Sequence, residues 1–347
     1  MNNYLKSFEY FRATAITVIV AGHCYGISGW VIDSFGERLL ANMISGGTHL
    51  FVFISGFLFH HVFFPRFHFR DFIWKKIKNV YAPFLFLSLF GIALSLRIRG
   101  PFPEYYFGPE QTAFDQLIRP ALLYLCHGGV FAYWYIPFIM CVFLLSPLFV
   151  RYIRAGLPAR LAIFVILLCA SLFLGRPPDN LNTLHSVVFF LPVYLFGILC
   201  SQEQRWLYAR LAPHVWSILA AALVLAALQA LFYPSSGDIQ KPPFVLAGID
   251  LNLLQKLALS LFLMLFLHRF EDVEIPPLQL LAASSFAIYF LHGWFIWAIS
   301  LHQDRYHQFY GPHLLLVLTP LVMAASCCSA RLIRRTFPGH SRLLIGW

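Results

Sequence analysis

The chain has 347 residues, of which 59% are hydrophobic and 12% are charged, and its formal net charge is +10. Soluble domains carry roughly 25% charged residues, so this composition excludes an ordinary soluble protein and predicts a polytopic membrane protein. The positive charge therefore indicates basic loops beside a membrane rather than nucleic-acid binding. The 7 cysteines mostly fall in apolar runs without a CxxC spacing, which favours small buried side chains over a disulfide frame or a metal site.

Apolar runs bounded by charged residues, Pro and Gly predict an all-α fold of about ten transmembrane helices. We expect a single membrane domain over residues 1–347 with no appended soluble domain. The predicted spans are 8–29, 42–63, 79–97, 131–151, 159–175, 186–201, 214–232, 251–270, 281–301 and 313–335. With a cytoplasmic N-terminus, most of the 25 Lys and Arg residues fall in cytoplasmic segments, and an even number of spans places both termini in the cytoplasm.

The first predicted span carries Glu9 and Arg12 near its start and His23 deep inside it. On a helix of about 100° per residue, Arg12 and His23 return to within roughly 20° of one face, about 16 Å apart along the axis. Ionisable groups at membrane depth are costly and usually face a cavity or a partner, so this stripe is a candidate functional site. Two simpler interpretations also fit: Arg12 as a basic anchor reaching the headgroups, and His23 as a neutral histidine bonded to another helix.

The second predicted span contains the segment GGTHLFVFISGFLFHH. Its glycines permit close approach of neighbouring helices, and Ser55 can form a hydrogen bond across a helix interface. Structural or interfacial roles are favoured for His49, His60 and His61, because histidine fills many ordinary roles in proteins.

The most basic loop contains Lys75, Lys76 and Lys78 shortly before Pro83, where the third predicted span begins. A basic flank on the cytoplasmic side, or a contact with anionic lipid, explains these residues without a specific function. A phosphate site at the cytosolic mouth of a cavity explains them equally well, because Lys binds phosphate as a point charge.

Two later segments supply further polar and aromatic candidates. Trp134 and Tyr135 open the fourth predicted span near the external interface, where anchoring in an aromatic belt is the simplest interpretation. The ninth predicted span contains Tyr289 and His292, and it runs from inside to outside, so we expect His292 at a depth similar to His23. An ordinary core histidine explains His292 equally well.

Together these segments resemble the acyltransferase-3 family of integral membrane acyltransferases. The family pattern is an Arg, ten intervening residues and a His in the first span, with an acidic residue three before the Arg; here these are Arg12, His23 and Glu9, where Asp is usual. The further matches are Phe51 to Leu58 for a run like FFVLSGFL, Trp134-Tyr135-Ile136 for a Trp-Phe-Leu signature, and Ser285, Tyr289 and His292 for a late Ser-x-x-x-Tyr-x-x-His. The matches occur in the expected order over nearly the whole chain.

The chain departs from the family pattern at two further places. An acidic residue often precedes the FFVLSGFL-like run, where this chain has His49. The family's third span opens with an R-x-x-R pair before a Pro, where this chain has Lys75 and Lys78 before Pro83. The second departure weakens any bidentate contact to phosphate.

The resemblance implies O-acylation, usually acetylation, of an extracytoplasmic carbohydrate such as O-antigen, exopolysaccharide, peptidoglycan or a glycolipid sugar. Acetyl-CoA, or another acyl-CoA, would be the cytosolic co-substrate, with no permanently bound cofactor and no metal. The expected partners are thus the acyl-CoA, the carbohydrate or glycolipid acceptor and the lipid bilayer, without nucleic acid. The expected location is the bacterial inner membrane.

The resemblance also implies roles for individual residues. His23 would be the general base or the acyl-accepting nucleophile, and Arg12, held by Glu9, would bind the donor. The CoA phosphates would bind Lys75, Lys76 and Lys78, and the acceptor or supporting residues would be His292, Tyr289, Ser55, Trp134 and Tyr135. The alternatives are a transporter or flippase of a polysaccharide pathway that transfers no acyl group, and a structural subunit of a polysaccharide machine.

Overall fold

The computed structural model describes residues 5–98, 107–110, 112–128, 132–243, 245–246 and 248–347. Helices make up 81% of it, and the described residues form no β-strand, which confirms the all-α prediction. The α-helices are α1 (Lys6–Ile27), α2 (Phe35–Ile44), α3 (Gly47–Leu58), α4 (Phe69–Lys76), α5 (Ala82–Ile98), α6 (Arg119–His127), α7 (Tyr135–Leu144), α8 (Ser146–Arg154), α9 (Leu157–Leu174), α10 (Thr183–Gln202), α11 (Gln204–Leu211), α12 (Val215–Phe232), α13 (Leu251–Leu267), α14 (Pro276–Ser300), α15 (Gln303–Tyr306), α16 (Pro312–Thr336) and α17 (Ser341–Ile345).

Within the described ranges, 8 helical stretches are long and apolar enough to cross a membrane. They are Phe35–Arg66, Phe69–Leu94, Leu157–Leu174, Thr183–Gln202, Gln204–Phe232, Leu251–Phe270, Pro276–Ser300 and Pro312–Thr336. Each overlaps one of the predicted spans. The predicted span 131–151 is divided between α7 and α8, which are bent by 53° and make a ninth crossing if they act as one. The predicted count of about ten and the sides of the termini stay predictions.

The first predicted span is α1, which is not among these apolar stretches. Its polar residues make it less lipid-like, but its neighbours shield it, because α1 packs against α3, α13, α14 and α16. Phe11, Ile16, Val20 and Cys24 on this helix are fully buried. The ionisable side chains of α1 therefore lie among other helices, where polar partners and cavities lower the cost of burying them.

Helices α3 and α10 pack with their backbones in direct contact. A Cβ atom at Gly56 of α3 would overlap the carbonyl group of Tyr194, and one at Gly197 of α10 would overlap the carbonyl oxygen of Phe53. Such close approach requires residues without a side chain at the crossing. It fixes the rotation of α3 and so determines which of its residues face α1.

The segment between α12 and α13 folds back onto the turn that follows α9. The backbone N–H of Arg176 donates to the carbonyl oxygen of Ile239 at 2.8 Å, and the N–H of Lys241 donates to the carbonyl oxygen of Arg176 at 2.8 Å. Asp250 caps the N-terminus of α13 and also accepts a hydrogen bond from the N–H of Ile239 at 3.0 Å. These bonds hold Asp238 beside the Arg176 side chain.

Candidate functional site at the junction of two cavities

Two cavities meet at His23. Their volumes are about 230 and 220 Å³, and Ile19, His23, Thr48 and Trp134 line both of them. The His23 side chain is accessible even though α1 is surrounded by other helices. Its accessible surface therefore faces the cavities, and a molecule in either cavity can contact the imidazole.

The first cavity is lined by Arg12 and Lys76 as well as His23, and we call it the cationic cavity. Arg12 lies one helical turn beyond Glu9, with 3.8 Å between the Arg12 Nη2 and Glu9 Oε1 atoms. The helical rise separates Arg12 from His23 by about 16 Å along α1. The cationic cavity thus extends from the imidazole along α1 to two basic side chains.

The structure distinguishes the three lysines of the basic loop. Lys76 lines the cationic cavity, and its Nζ atom lies 4.3, 5.1 and 4.5 Å from the ring centroids of Phe63, Phe72 and Phe143. Lys75 and Lys78 are exposed and do not line it. Cation–π contacts stabilise an ammonium group that has lost part of its hydration. Of the three, Lys76 therefore has the position suited to binding an anion inside the protein.

Four other predicted residues line the cationic cavity: Ser55, Trp134, Tyr135 and Tyr289. The Tyr289 hydroxyl donates to the carbonyl oxygen of Ala132 at 2.8 Å. Ala132 has φ 64°, a left-handed conformation that costs energy for a residue with a Cβ atom. The tyrosine hydrogen bond therefore helps to hold a strained segment of backbone at the wall of the cavity.

His292 of α14 lies beside His23, with 5.2 Å between the two ring centroids. His292 is fully buried, and its Nδ1 lies 3.0 Å from the carbonyl oxygen of Ile288. Because a carbonyl oxygen only accepts, the proton of a neutral His292 is assigned to Nδ1. The Nε2 atom is then a hydrogen-bond acceptor, and it is buried without a partner within the described part of the protein. The prediction that His292 and His23 reach similar depth agrees with this contact.

The second cavity is lined by Arg176 and Asp238, and we call it the paired-charge cavity. The Nη1 atom of Arg176 lies 2.8 Å from Asp238 Oδ2, and its Nε donates to Asn180 Oδ1 at 2.6 Å. The Arg176 guanidinium also stacks over the rings of Trp134 and Phe190, 4.8 and 5.6 Å from their centroids. Its charge is therefore satisfied within the protein.

The carboxylate of Asp238 has further buried neighbours. Its Oδ1 accepts a hydrogen bond from Asn252 Nδ2 at 2.6 Å and lies 3.6 Å from Nε2 of His49. Burial alone would raise the pKa of Asp238, but the nearby His49 and Arg176 and the hydrogen bonds leave it below its ordinary value. Asp238 is therefore ionised at neutral pH.

The departure at His49 has a structural counterpart. His49 is fully buried, and its Nδ1 lies 3.0 Å from the carbonyl oxygen of Gly46. The family pattern often has an acidic residue at this point in the second span. In this chain the carboxylate of Asp238, from a distant loop, lies 3.6 Å from Nε2 of His49.

No sequence pattern pointed to Arg176 and Asp238, the charged residues of the paired-charge cavity, although His23 and Trp134, which also line it, were predicted. Arg176 and Asp238 are separated by 62 positions and lie in a turn and in a Pro- and Gly-rich loop. Each is an ionisable residue in a turn or loop after an apolar run, and such residues are common in membrane proteins. No spacing rule connects them, because the backbone pairing of Arg176 with residues 239 and 241 brings them together.

Glu9 lies beside Arg12 and lines neither cavity. His292 contacts the His23 ring and also lines neither cavity. Across the described ranges, no three His, Cys, Asp or Glu side chains are placed to share a metal ion. The site therefore consists of the accessible imidazole of His23 between two cavities. One cavity has the basic side chains of Arg12 and Lys76, and the other has the ion pair of Arg176 and Asp238.

A family model described as an acyltransferase domain matches residues 5–332, nearly the whole chain. No curated relative and no solved structure matches the chain. The matched region includes every residue that lines the two cavities. The chain belongs to the acyltransferase-3 family of membrane acyltransferases.

Proposed function

We propose that the chain transfers an acyl group, most simply acetyl, from cytosolic acyl-CoA to a hydroxyl group of an extracytoplasmic carbohydrate. The observation that carries this proposal is the position of His23 where the two cavities meet. An acyl transfer between the two sides of a membrane requires donor and acceptor to approach one catalytic group from opposite directions. Two separate cavities that both reach His23 support this arrangement.

The cationic cavity is the donor site in this proposal. Phosphate groups bind basic side chains, and Arg12 and Lys76 both line this cavity. The separation of about 16 Å between Arg12 and His23 along α1 suits an extended pantetheine-like chain. Between them the wall is largely apolar, with Phe51, Ile54 and Ile139, which suits the uncharged part of an acyl-CoA. The Glu9 carboxylate beside Arg12 offsets part of the cost of placing the guanidinium there.

His23 acts as the general base in this proposal. An imidazole is suited to this role because its ordinary pKa lies near neutral pH. His23 removes the proton of the acceptor hydroxyl, whose oxygen attacks the thioester carbonyl carbon. The carbon–sulfur bond then breaks, and the proton passes from His23 to the CoA thiolate. The products are an ester and CoA with a free thiol.

A covalent route uses the same residue. The His23 imidazole attacks the thioester, CoA leaves, and the acceptor hydroxyl then takes the acyl group from the imidazole. A denaturing quench during turnover of radiolabelled acetyl-CoA separates the two routes. The general-base route predicts no acyl label on the protein, whereas label on wild-type protein that is absent from His23→Ala supports the covalent route.

The assay for the function measures two products in membranes that contain the chain. We expect labelled acetyl-CoA to be consumed and base-labile acetyl ester to form on the membrane glycan, and neither change in membranes without the chain. The rival transporter or flippase would move a glycan or glycolipid across the membrane without consuming thioester. Glycan movement without thioester consumption would therefore contradict the proposal.

A further inference from the structure

The paired-charge cavity differs in electrostatic character from the cationic cavity, although both reach His23. Its charged lining residues, within the described part of the chain, are Arg176 and Asp238, and their side chains are 2.8 Å apart. The pair leaves no net charge for a bound molecule to neutralise. The cationic cavity instead has Arg12 and Lys76, with the single carboxylate of Glu9 lying 3.8 Å from Arg12.

The ion pair opposes binding of a charged group of either sign. A carboxylate placed near Arg176 would also lie near Asp238, and an ammonium group near Asp238 would also lie near Arg176. Like charges brought together at a desolvated site repel each other, so a ligand charge of either sign is repelled by one member of the pair. An uncharged molecule avoids this repulsion.

The remaining polar lining suits hydroxyl groups. Asn180 and Gln240 contribute side-chain amides and Ser236 a hydroxyl, which together offer donors and acceptors in one small space. Trp134 closes the wall shared with the cationic cavity. The volume of about 220 Å³ lies below the usual range for drug-sized ligands, roughly 300–1,000 Å³, so it fits one sugar-sized unit.

We propose that the paired-charge cavity is the acceptor subsite and selects an uncharged polyol unit, excluding uronic acids and charged amino sugars. This inference rests on the proposed acyl transfer. Asp238 sets the selectivity by cancelling the charge of Arg176, and Asn180, Ser236 and Gln240 bind the hydroxyl groups. The hydroxyl that is acylated is the one presented to His23.

The test compares methyl glucoside with methyl glucuronide as acceptors, because the two share a ring and differ in one carboxylate. Acyl transfer from labelled acetyl-CoA is measured for each with the full chain in membranes. For the wild type we expect kcat/KM to be about tenfold or more higher with the glucoside. In Asp238→Asn, Arg176 has an uncancelled charge, and we expect that ratio to fall by about tenfold, mainly through a lower KM for the glucuronide.

Asp179→Asn is the matched control, because it makes the same charge change at an exposed residue next to Asn180 that does not line the cavity. It is expected to keep the wild-type ratio. Gln240→Glu is a second variant that leaves the buried ion pair intact. It adds a negative charge to the cavity, so we expect weaker use of the glucuronide and measurable use of a protonated amino sugar.

The outcomes separate this inference from the proposed function. Three results would overturn the neutral acceptor subsite and leave acyl transfer standing, provided that thioester is consumed. They are equal use of both glycosides, use of neither glycoside, and an unchanged glucoside-to-glucuronide ratio of kcat/KM in both cavity variants. Wild-type membranes that consume no thioester with any acceptor would overturn the acyl transfer itself.

Discussion

The two cavities share His23 and a wall formed by Ile19, Thr48 and Trp134, but they are built from different parts of the fold. The cationic cavity is lined mainly by helical residues, including Arg12 of α1 and Tyr289 of α14. The paired-charge cavity is closed largely by a turn and a loop, which contribute Arg176 and Asp238.

In the proposed function, this difference in charge would separate the donor site from the acceptor site. A cavity with unequal charge selects a ligand with the opposite charge, whereas a cavity with a closed ion pair selects on hydrogen bonding and shape. A helical wall is rigid, and a loop wall tolerates sequence change. An enzyme with one donor and differing acceptors would therefore bind the donor at the helical wall and the acceptor at the loop wall.

The largest expected effect comes from His23, the ionisable residue that lines both cavities. His23→Ala is predicted to lower acyl transfer by about 10³-fold, within the 10²–10⁴-fold range usual for loss of a general base. The measurement is ester formation from labelled acetyl-CoA at equal amounts of membrane-inserted protein. His302→Ala removes an exposed histidine outside both cavities and is expected to keep full activity. Near-normal transfer by His23→Ala would remove His23 from the mechanism.

The next effect distinguishes the lysines of the basic segment. Lys76→Gln is predicted to raise the KM for acyl-CoA about tenfold, which corresponds to about 1.4 kcal/mol and to the loss of one charge-assisted contact. The KM for the acceptor should not change, since Lys76 lines only the cationic cavity. Lys75→Gln is the adjacent control at an exposed position and should bind acyl-CoA normally. Equal effects of both variants would instead indicate a diffuse surface charge.

The lysines also show what the sequence could predict. The spacing of Lys75 and Lys78 places them one turn apart on a regular helix. The chain does not continue as an α-helix, because α4 ends at Lys76 and a π-helical turn follows over Ile77–Tyr81. The π-turn changes the position of Lys78 relative to Lys75, whereas Lys76 precedes the turn. Lys76 faces the cavity through its packing against Phe63, Phe72 and Phe143, which the spacing of the lysines does not show.

The apolar helices were easier to predict than the site. Apolar runs ended by charges and prolines locate a membrane helix from local composition alone, and eight of the predicted spans coincide with such helices. The stripe of Arg12 and His23 could also be predicted, since both lie on one helix with a fixed period. The Arg176–Asp238 pair could not, because it depends on tertiary contacts between distant segments.

A smaller effect is expected where His292 supports His23. His292→Gln removes the imidazole ring whose centroid lies 5.2 Å from that of His23, and it is predicted to lower kcat by about fivefold to tenfold. His292 lines neither cavity, so the KM values for acyl-CoA and acceptor should not change. A variant with raised KM and normal kcat would show that His292 contacts a substrate instead of positioning His23.

The smallest effect concerns stability in acid. The pKa of Asp238 is below its ordinary value in the folded protein, so its stabilising contribution is fully present above about pH 4 and is lost as the pH falls through the lower, folded-state pKa. The wild type should therefore lose a few degrees of melting temperature in that acidic range. Asp238→Asn, melted in the same detergent, should lack this component, while Asp179→Asn should show it. Identical acid profiles for all three proteins would contradict the role of the ion pair.

The most direct measurement follows the acyl group between the two sides of the membrane. Inverted vesicles that carry their native glycan in the lumen are supplied with labelled acetyl-CoA from outside. The account predicts labelled acetyl ester on the lumenal glycan with the wild-type chain and none with His23→Ala. Lumenal ester formed equally by both proteins, or thioester consumption with no lumenal ester in the wild type, would contradict transfer through the junction at His23.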